Sequence, residues 1–218
     1  MSSTEPIRPF KDVWLRPRRV FRELAARPVG ITDYLLAAAQ GVVSSIVVYR
    51  TQLAGIHASA SEILARSLLF GPIVGVVSIY LFTAIYGRLG ARAGGTSARN
   101  QVFHVLAYGG IPVAASLLMW GFMALIIGDA AIVATPGAPA PGAEVDGFVA
   151  LLLRVQFATY MLLWVWSIVL QVMGFSEIWG LATRKTFGVW VFGQILALMA
   201  VLFLSMLITI LLPDAAPH

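Results

Sequence analysis

The sequence predicts an all-α fold: a polytopic membrane bundle of five transmembrane helices, preceded by a short interfacial amphipathic helix. Three observations carry this prediction. Only 11% of the 218 residues are charged and 59% are hydrophobic, whereas a soluble domain carries roughly 25% charged residues. So little charge cannot cover a water-facing surface, and lipid must cover most of it. Five apolar runs are each long enough to cross a hydrocarbon core of roughly 30 Å. The basic residues gather in alternate links between those runs, as the positive-inside rule requires.

Residues 1–30 are polar and basic, with Arg8, Lys11, Arg16, Arg18, Arg19, Arg22 and Arg27 set against Glu5, Asp12 and Glu23. Pro17 suits the first position of a helix, where its missing N–H would be unsatisfied anyway. The next turns place Val20, Phe21 and Leu24 on one face and Arg18, Arg19, Arg22 and Glu23 around the rest, until Pro28 ends the pattern. A basic amphipathic helix of this kind lies in the membrane interface, with Trp14 as a nearby anchor. The other reading is a helix that docks a partner.

The expected spans are 31–49, 63–86, 102–128, 147–174 and 186–212, all within a membrane domain of 31–212, with 213–218 as a tail. Asp33 stands at the entrance of the first span, where a helix N-terminus tolerates negative charge. Ala58-Ser59-Ala60 has the spacing of a signal-peptide cleavage site. The basic, proline-containing stretch before the first run is too long for a signal-peptide n-region, so that run is read as a span. Glu62 and Arg66, four apart, can pair on one helix face, and Arg66 can snorkel back to the interface. Gly71-Pro72 predicts a kink in the second span, and Gly71 with Gly75 a small-residue face for close packing.

The stretch from Tyr86 to Pro112 organises the chain. It turns from apolar to a glycine-rich basic loop carrying Arg88, Arg92 and Arg99, then enters the third span, which Gly109, Gly110 and Pro112 interrupt early. In lipid such an interruption is tolerated only where protein or water covers it, so Tyr108 to Pro112 is expected to face the bundle. Residues 129–146 are rich in Pro, Gly and Ala and read as an extended loop. Residues 175–185 form the last link, ahead of the fifth span.

Lys and Arg counts set the orientation. The N-terminal segment holds seven, the second link three and the fourth link two, while the first link holds one and the third link and tail none. The N-terminus is therefore expected in the cytoplasm of a bacterial inner membrane and the C-terminus in the periplasm. Thirteen arginines against two lysines read as a high-GC bacterial gene.

Little in the chain carries chemistry. Cysteine is absent, which excludes a disulfide framework and a Cys-based metal site. His57, His104 and His218 lie on three segments without metal-ligand spacing. Gly94-Gly95-Thr96-Ser97 lacks the Gly-Lys-Ser/Thr ending of a phosphate loop. No cofactor and no catalytic residue is expected. Intramembrane polar residues are Gln40, His104, Arg154, Gln156, Gln171, Gln194 and Glu177. They read either as hydrogen-bonding glue between helices or as a conduction or ligand path. His104, Tyr108, Pro112 and Glu177 are candidates for lining a small cavity at the cytoplasmic side.

The ordered set of motifs resembles the YIP family, the Ypt/Rab-interacting five-span membrane proteins. The matching residues are Pro17-x-x-Val20-Phe21 before Pro28, the glycine-rich turn Gly90 to Ser97, and Leu106-Ala107-Tyr108 followed by Pro112. Trp164 to Gly174, Glu177, and Arg184-Lys185 before the last span also fit, so that the resemblance covers about residues 14–210. The chain departs where the family tends to have Lys-Ala and Lys185-Thr186 stands instead. The resemblance implies a five-helix membrane domain without enzymatic activity. Eukaryotic members bind small GTPases in vesicle traffic, a partner that does not carry over to a bacterium.

The expected function is a non-enzymatic membrane protein that organises protein partners or lipids. Its interaction surface would be Trp14, Arg18, Arg19, Phe21, Arg22, Arg88, Arg92, Arg99, Arg184 and Lys185. Its partners would be anionic lipid headgroups and a membrane protein, not nucleic acid. The competing readings are a small transporter, channel or lipid-translocating protein using Arg154, Gln156, His104 and Gln171, and an accessory subunit of a larger membrane complex. The transporter reading meets no internal repeat in the sequence.

Overall fold

The structure is a computed structural model that describes residues 7–52, 59–133 and 147–211, and among the described residues every regular element is a helix. Two short helices, α1 (Pro9–Leu15) and α2 (Pro17–Leu24), precede α3 (Ile31–Gln52), α4 (Ala60–Arg92), α5 (Arg99–Gly109), α6 (Ile111–Ile127), α7 (Ala130–Val133), α8 (Gly147–Trp179) and α9 (Thr183–Leu211). Four helical stretches are long and apolar enough to cross a membrane: Ile31–Arg50, Ala60–Arg92, Arg99–Ile127 and Gly147–Trp179. The fifth expected span falls on α9. The expected link residues 53–58 and 134–146 and the tail lie outside the described residues.

The outward faces identify the solvent. Leu125 is 87% exposed, Leu118 80% and Leu162 70%. Apolar side chains exposed in such density do not face water in a soluble monomer; here they face hydrocarbon.

Helix α4 starts at Ser59, whose Oγ accepts the Glu62 N–H at 3.2 Å, and it runs 33 residues without a break at Pro72. At 1.5 Å per residue that is about 50 Å, longer than the hydrocarbon core needs. Its ends therefore project, one with the Glu62–Arg66 pair at 2.6 Å and the other with Arg88 and Arg92. Gly71 and Gly75 form the expected small-residue face, and it meets α3. A Cβ added at Gly71 would lie 2.6 Å from the Val42 Cα, and Gly41 abuts the backbone of both Gly71 and Gly75. Dispersion and the absence of intervening side chains hold this pair together.

The third expected span is two helices. α5 ends at Gly109, and α6 begins at Ile111 with Pro112 in its first turn. Pro112 therefore sits where no intrahelical donor is required, and the expected interruption is a helix restart at Gly110. Helix α8 continues past its expected end at Gly174 through Trp179, because the first residue to break it is Gly180, with φ +65°. A glycine in the left-handed region is a common helix stop. Glu177 and Trp179, expected in a link, are helical. Residues 130–133, expected in a loop, form α7, with Ala131 and Ile132 buried.

The N-terminal amphipathic helix meets protein rather than lipid. On α2, Val20, Phe21 and Leu24 are 0%, 1% and 2% exposed, and the helix packs on α5 and α8. Gly174 opens the seat: a Cβ there would lie 2.9 Å from the Phe21 ring and 2.9 Å from a Val105 methyl. Phe21 therefore belongs to the core and not to an exposed surface, which corrects its expected place. Burial of a Phe in this way stabilises by about 1.5–3 kcal/mol, an amount that favours protein over the half-buried headgroup region.

Two clusters of buried side chains fill the bundle. At the basic end Phe175 stacks on Trp179, centroids 4.6 Å apart, and meets the Tyr86 ring at a tilt, centroids 4.9 Å apart. At the far end Val42, Ile46, Ile63, Trp120 and Met123 pack around α7. The Arg50 guanidinium is buried there over the Trp120 ring, 5.3 Å from its centroid.

Gly41→Leu should therefore disrupt the bundle by about 3 kcal/mol or more, because the added atoms meet backbone and not a side chain that can swing away. Gly121→Leu, where nothing lies within 4 Å, should be neutral. Thermal unfolding of the two variants in detergent separates them; equal midpoints would refute the close α3–α4 contact.

Candidate functional site

Two places in the fold concentrate polar groups. The first is the basic end of the bundle, built from three segments far apart in sequence. The Arg22 Nε donates to Glu177 Oε1 at 2.7 Å and Arg18 donates to Thr183 Oγ1 at 3.1 Å, so α2 is clasped to the α8–α9 corner. Lys185 Nζ donates to the Ala93 carbonyl at 2.7 Å, joining the start of α9 to the end of α4. Asn100 and Gln101, at the start of α5, donate to the carbonyls of Arg27 and Ala25 at 3.2 and 3.3 Å. The hydrogen bond it donates to Glu177, and then the carboxylate's charge, raise the Arg22 guanidinium above its ordinary value.

Of the expected surface residues, Arg18, Arg22, Arg88, Arg92, Arg99, Arg184 and Lys185 are exposed at this end, while Trp14 and Arg19 are half-buried. Arg19 pairs with Glu23 at 3.0 Å, and Arg99 lies over the Tyr80 ring, 5.5 Å from its centroid, a cation–π position. The clasp turns three basic segments into one face.

The second place is the buried polar layer. His104, 2% exposed, has both ring nitrogens occupied. Nδ1 meets Asp33 Oδ1 at 2.6 Å and Nε2 meets the Arg27 carbonyl at 3.1 Å. Both partners accept, and a neutral imidazole donates from one nitrogen only, so the imidazolium is the form that satisfies both. Asp33 Oδ2 also accepts the Gly30 N–H at 2.9 Å, capping α3. The residues expected to line a small cavity, His104, Tyr108, Pro112 and Glu177, are each engaged by other groups. His104 is consumed by Asp33 and Arg27, Glu177 by Arg22, Pro112 is buried in the first turn of α6, and Tyr108 packs at 6.4 Å from the His104 ring. The pairing of Asp33 with His104 joins residues 71 apart in sequence, and no local spacing announces it.

Deeper in the bundle the helix restart is held by side chains. Gln40 Nε2 donates to the Ala107 carbonyl at 3.0 Å and Ser167 Oγ to the Gly109 carbonyl at 2.7 Å. Gln171 Nε2 reaches Ser167 at 3.4 Å, and its Oε1 accepts from the Trp190 indole at 3.0 Å. Tyr86 then donates to the Trp190 carbonyl at 3.1 Å. Here Gln40 and Gln171 act as glue between helices. Ser167 and Trp190 escaped the sequence reading; the one signal was that Ser167 precedes Gln171 by one turn.

A cavity of about 180 Å³ lies beside this network, with Gln40, Gln171 and Gln194 in its wall. Of the residues suggested for a polar path, Gln171 lines it, while Arg154, Gln156 and His104 do not. Gln156 is buried at the far end and donates to the Ala131 carbonyl at 3.2 Å. Arg154 is exposed on α8. Among the described residues no group of three His, Cys, Asp or Glu could hold a metal ion.

Replacing His104 by Leu should cost about 3–5 kcal/mol, since the buried Asp33 carboxylate loses its counter-charge. The double variant Asp33→Leu/His104→Leu should be less damaging than H104L alone, which a double-mutant cycle on detergent unfolding midpoints would read. Additive effects would deny the buried pair.

Comparison with known proteins agrees with the architecture. No curated protein and no solved structure matches the chain. The family model for the Yip1 domain matches residues 11–206, which takes in most of α1, all of α2, the helix restart, the α8–α9 corner and most of α9. The chain belongs to the Yip1 domain family.

Proposed function

We propose that this is a non-enzymatic five-span membrane protein whose basic face docks acidic surfaces of membrane-protein partners and anionic lipid headgroups at the cytoplasmic side of a bacterial inner membrane. The observation that carries this reading is the clasp of α2 onto the α8–α9 corner through Arg22–Glu177 and Arg18–Thr183. It gathers seven basic residues from 1–30, three from 88–99 and two from 184–185 at one end, twelve of the fifteen in the chain. The positive-inside rule puts such an end in the cytoplasm, and a headgroup layer of opposite charge attracts it. α9 supplies the fifth crossing: its 29 residues reach about 43 Å.

The absence of catalysis in this reading rests on the His104–Asp33 pair. It is the closest approach to a general-base dyad among the described residues, yet its second nitrogen faces the Arg27 carbonyl and no nucleophile. A transporter reading is disfavoured because Arg154, Gln156 and His104 occupy three separate places.

Reporter fusions after Arg99 and Lys185 should read cytoplasm, and fusions within 135–145 and after His218 the opposite side. A cytoplasmic signal from either of the latter two would overturn the five-span orientation.

Charge reversal tests the docking face itself. The variant Arg88→Glu/Arg92→Glu/Arg184→Glu should lose the proteins that co-elute with the full chain in mild detergent, while Arg66→Glu, at the other end, should keep them. An unchanged set of co-eluting proteins in the triple variant would refute the reading.

A further inference from the structure

The cavity among α3, α4 and α9 holds polar groups that the helix restart does not use. Ser44 on α3, Ser78 on α4 and Gln194 on α9 all line it. Among the described residues none of these three side chains has a hydrogen-bond partner. Serines in helices often bond back to the carbonyl one turn before, and these two do not. Each of the three lies near the middle of its helix, at a depth where no bulk water is present to satisfy it. An unpaired hydroxyl or amide in hydrocarbon is costly, and here three of them, from three helices, converge on one space.

The space is large enough for a guest. At about 180 Å³ it exceeds the roughly 150 Å³ cavity that accepts a benzene molecule. Its mouth is lateral: Ser44 is exposed, and Val74, also in the wall, is 47% exposed on the outward face of α4. That face is the one covered by lipid, so a guest enters from the bilayer. The wall contains no charged residue, and its apolar part includes Ile79, Phe82 and Leu106. An ionic headgroup would therefore stand in a low dielectric without a counter-charge. A hydroxyl, which both donates and accepts, matches two serines and a glutamine, while the attached chain stays in the bilayer.

We infer that this cavity binds the hydroxyl end of an uncharged membrane lipid, of the diacylglycerol or long-chain-alcohol class, between α3, α4 and α9. The site is separate from the basic face, which selects negative charge and lies at the end of the bundle.

The test is photolabelling of the full chain in nanodiscs with a photoactivatable diacylglycerol, followed by peptide mapping. Labelling should concentrate on the α3, α4 and α9 segments around Ser44, Ser78 and Gln194 and be competed by unlabelled diacylglycerol. Gln194→Leu, which removes one hydrogen-bonding partner and keeps the volume, should weaken competition by roughly fivefold. Ser78→Phe, which fills the cavity, should abolish the focus. Circular dichroism confirms that each variant compared is helical. A phosphatidic acid probe of the same chain length should not focus there. Labelling spread evenly over the outward faces, insensitivity to both variants, or equal focusing of the anionic probe would each overturn the inference.

Discussion

A helix that stops and restarts inside an apolar layer is the constraint on which this bundle depends. Pro112 cannot donate to the Tyr108 carbonyl, and Gly109 and Gly110 offer no side chains to shield the exposed backbone. Water repairs such a break in a soluble protein; hydrocarbon cannot. The repair comes from Gln40 on α3 and Ser167 on α8, which hydrogen-bond the Ala107 and Gly109 carbonyls in the last turn before the restart. Because the two donors sit on different helices, satisfying the break joins α3, α5, α6 and α8. The glycines are equally required: a Cβ at Gly109 would lie 2.7 Å from Gln171 Cγ, and Gly110 abuts the Gln40 amide.

From that junction outward, the remaining contacts follow the same logic of close approach and polar satisfaction. The α3–α4 pair relies on Gly41, Gly71 and Gly75, and their contact places Ser44 and Ser78 on either side of one cavity. At the basic end Gly174 leaves room for Phe21, and the resulting seat presents Arg18 and Arg22 to Thr183 and Glu177. A hydrophobic side chain buried on one face of α2 thus positions the charges on its other face. The packing of the N-terminal helix and the electrostatic surface of the protein are one structural decision.

The all-helical class, the long apolar helices and the segregation of basic residues along the chain were legible in the sequence, because each depends on local composition. Twenty or so apolar residues must become a helix in lipid, whatever surrounds them. Lys and Arg near span ends are costly to translocate, which makes their distribution readable one link at a time. The small-residue face of α4 and the interruption at Gly109 to Pro112 were also visible, since a missing Cβ and a missing N–H are properties of single residues.

Which partner meets each of those features was decided only by the tertiary structure. Val20, Phe21 and Leu24 have the same pattern whether they face headgroups or helices, and the seat at Gly174 that settles the matter lies more than 150 residues away. His104 looked available for a cavity until Asp33 and the Arg27 carbonyl took both of its nitrogens. Glu177 looked like a link residue until α8 was seen to run on to Gly180. Gln40, Gln171 and Gln194 are alike as single letters, yet two of them hold the helix restart together and the third faces an open space. A side chain's chemistry is written in the sequence. Whether that chemistry is already consumed depends on long-range hydrogen bonding, which no local pattern encodes.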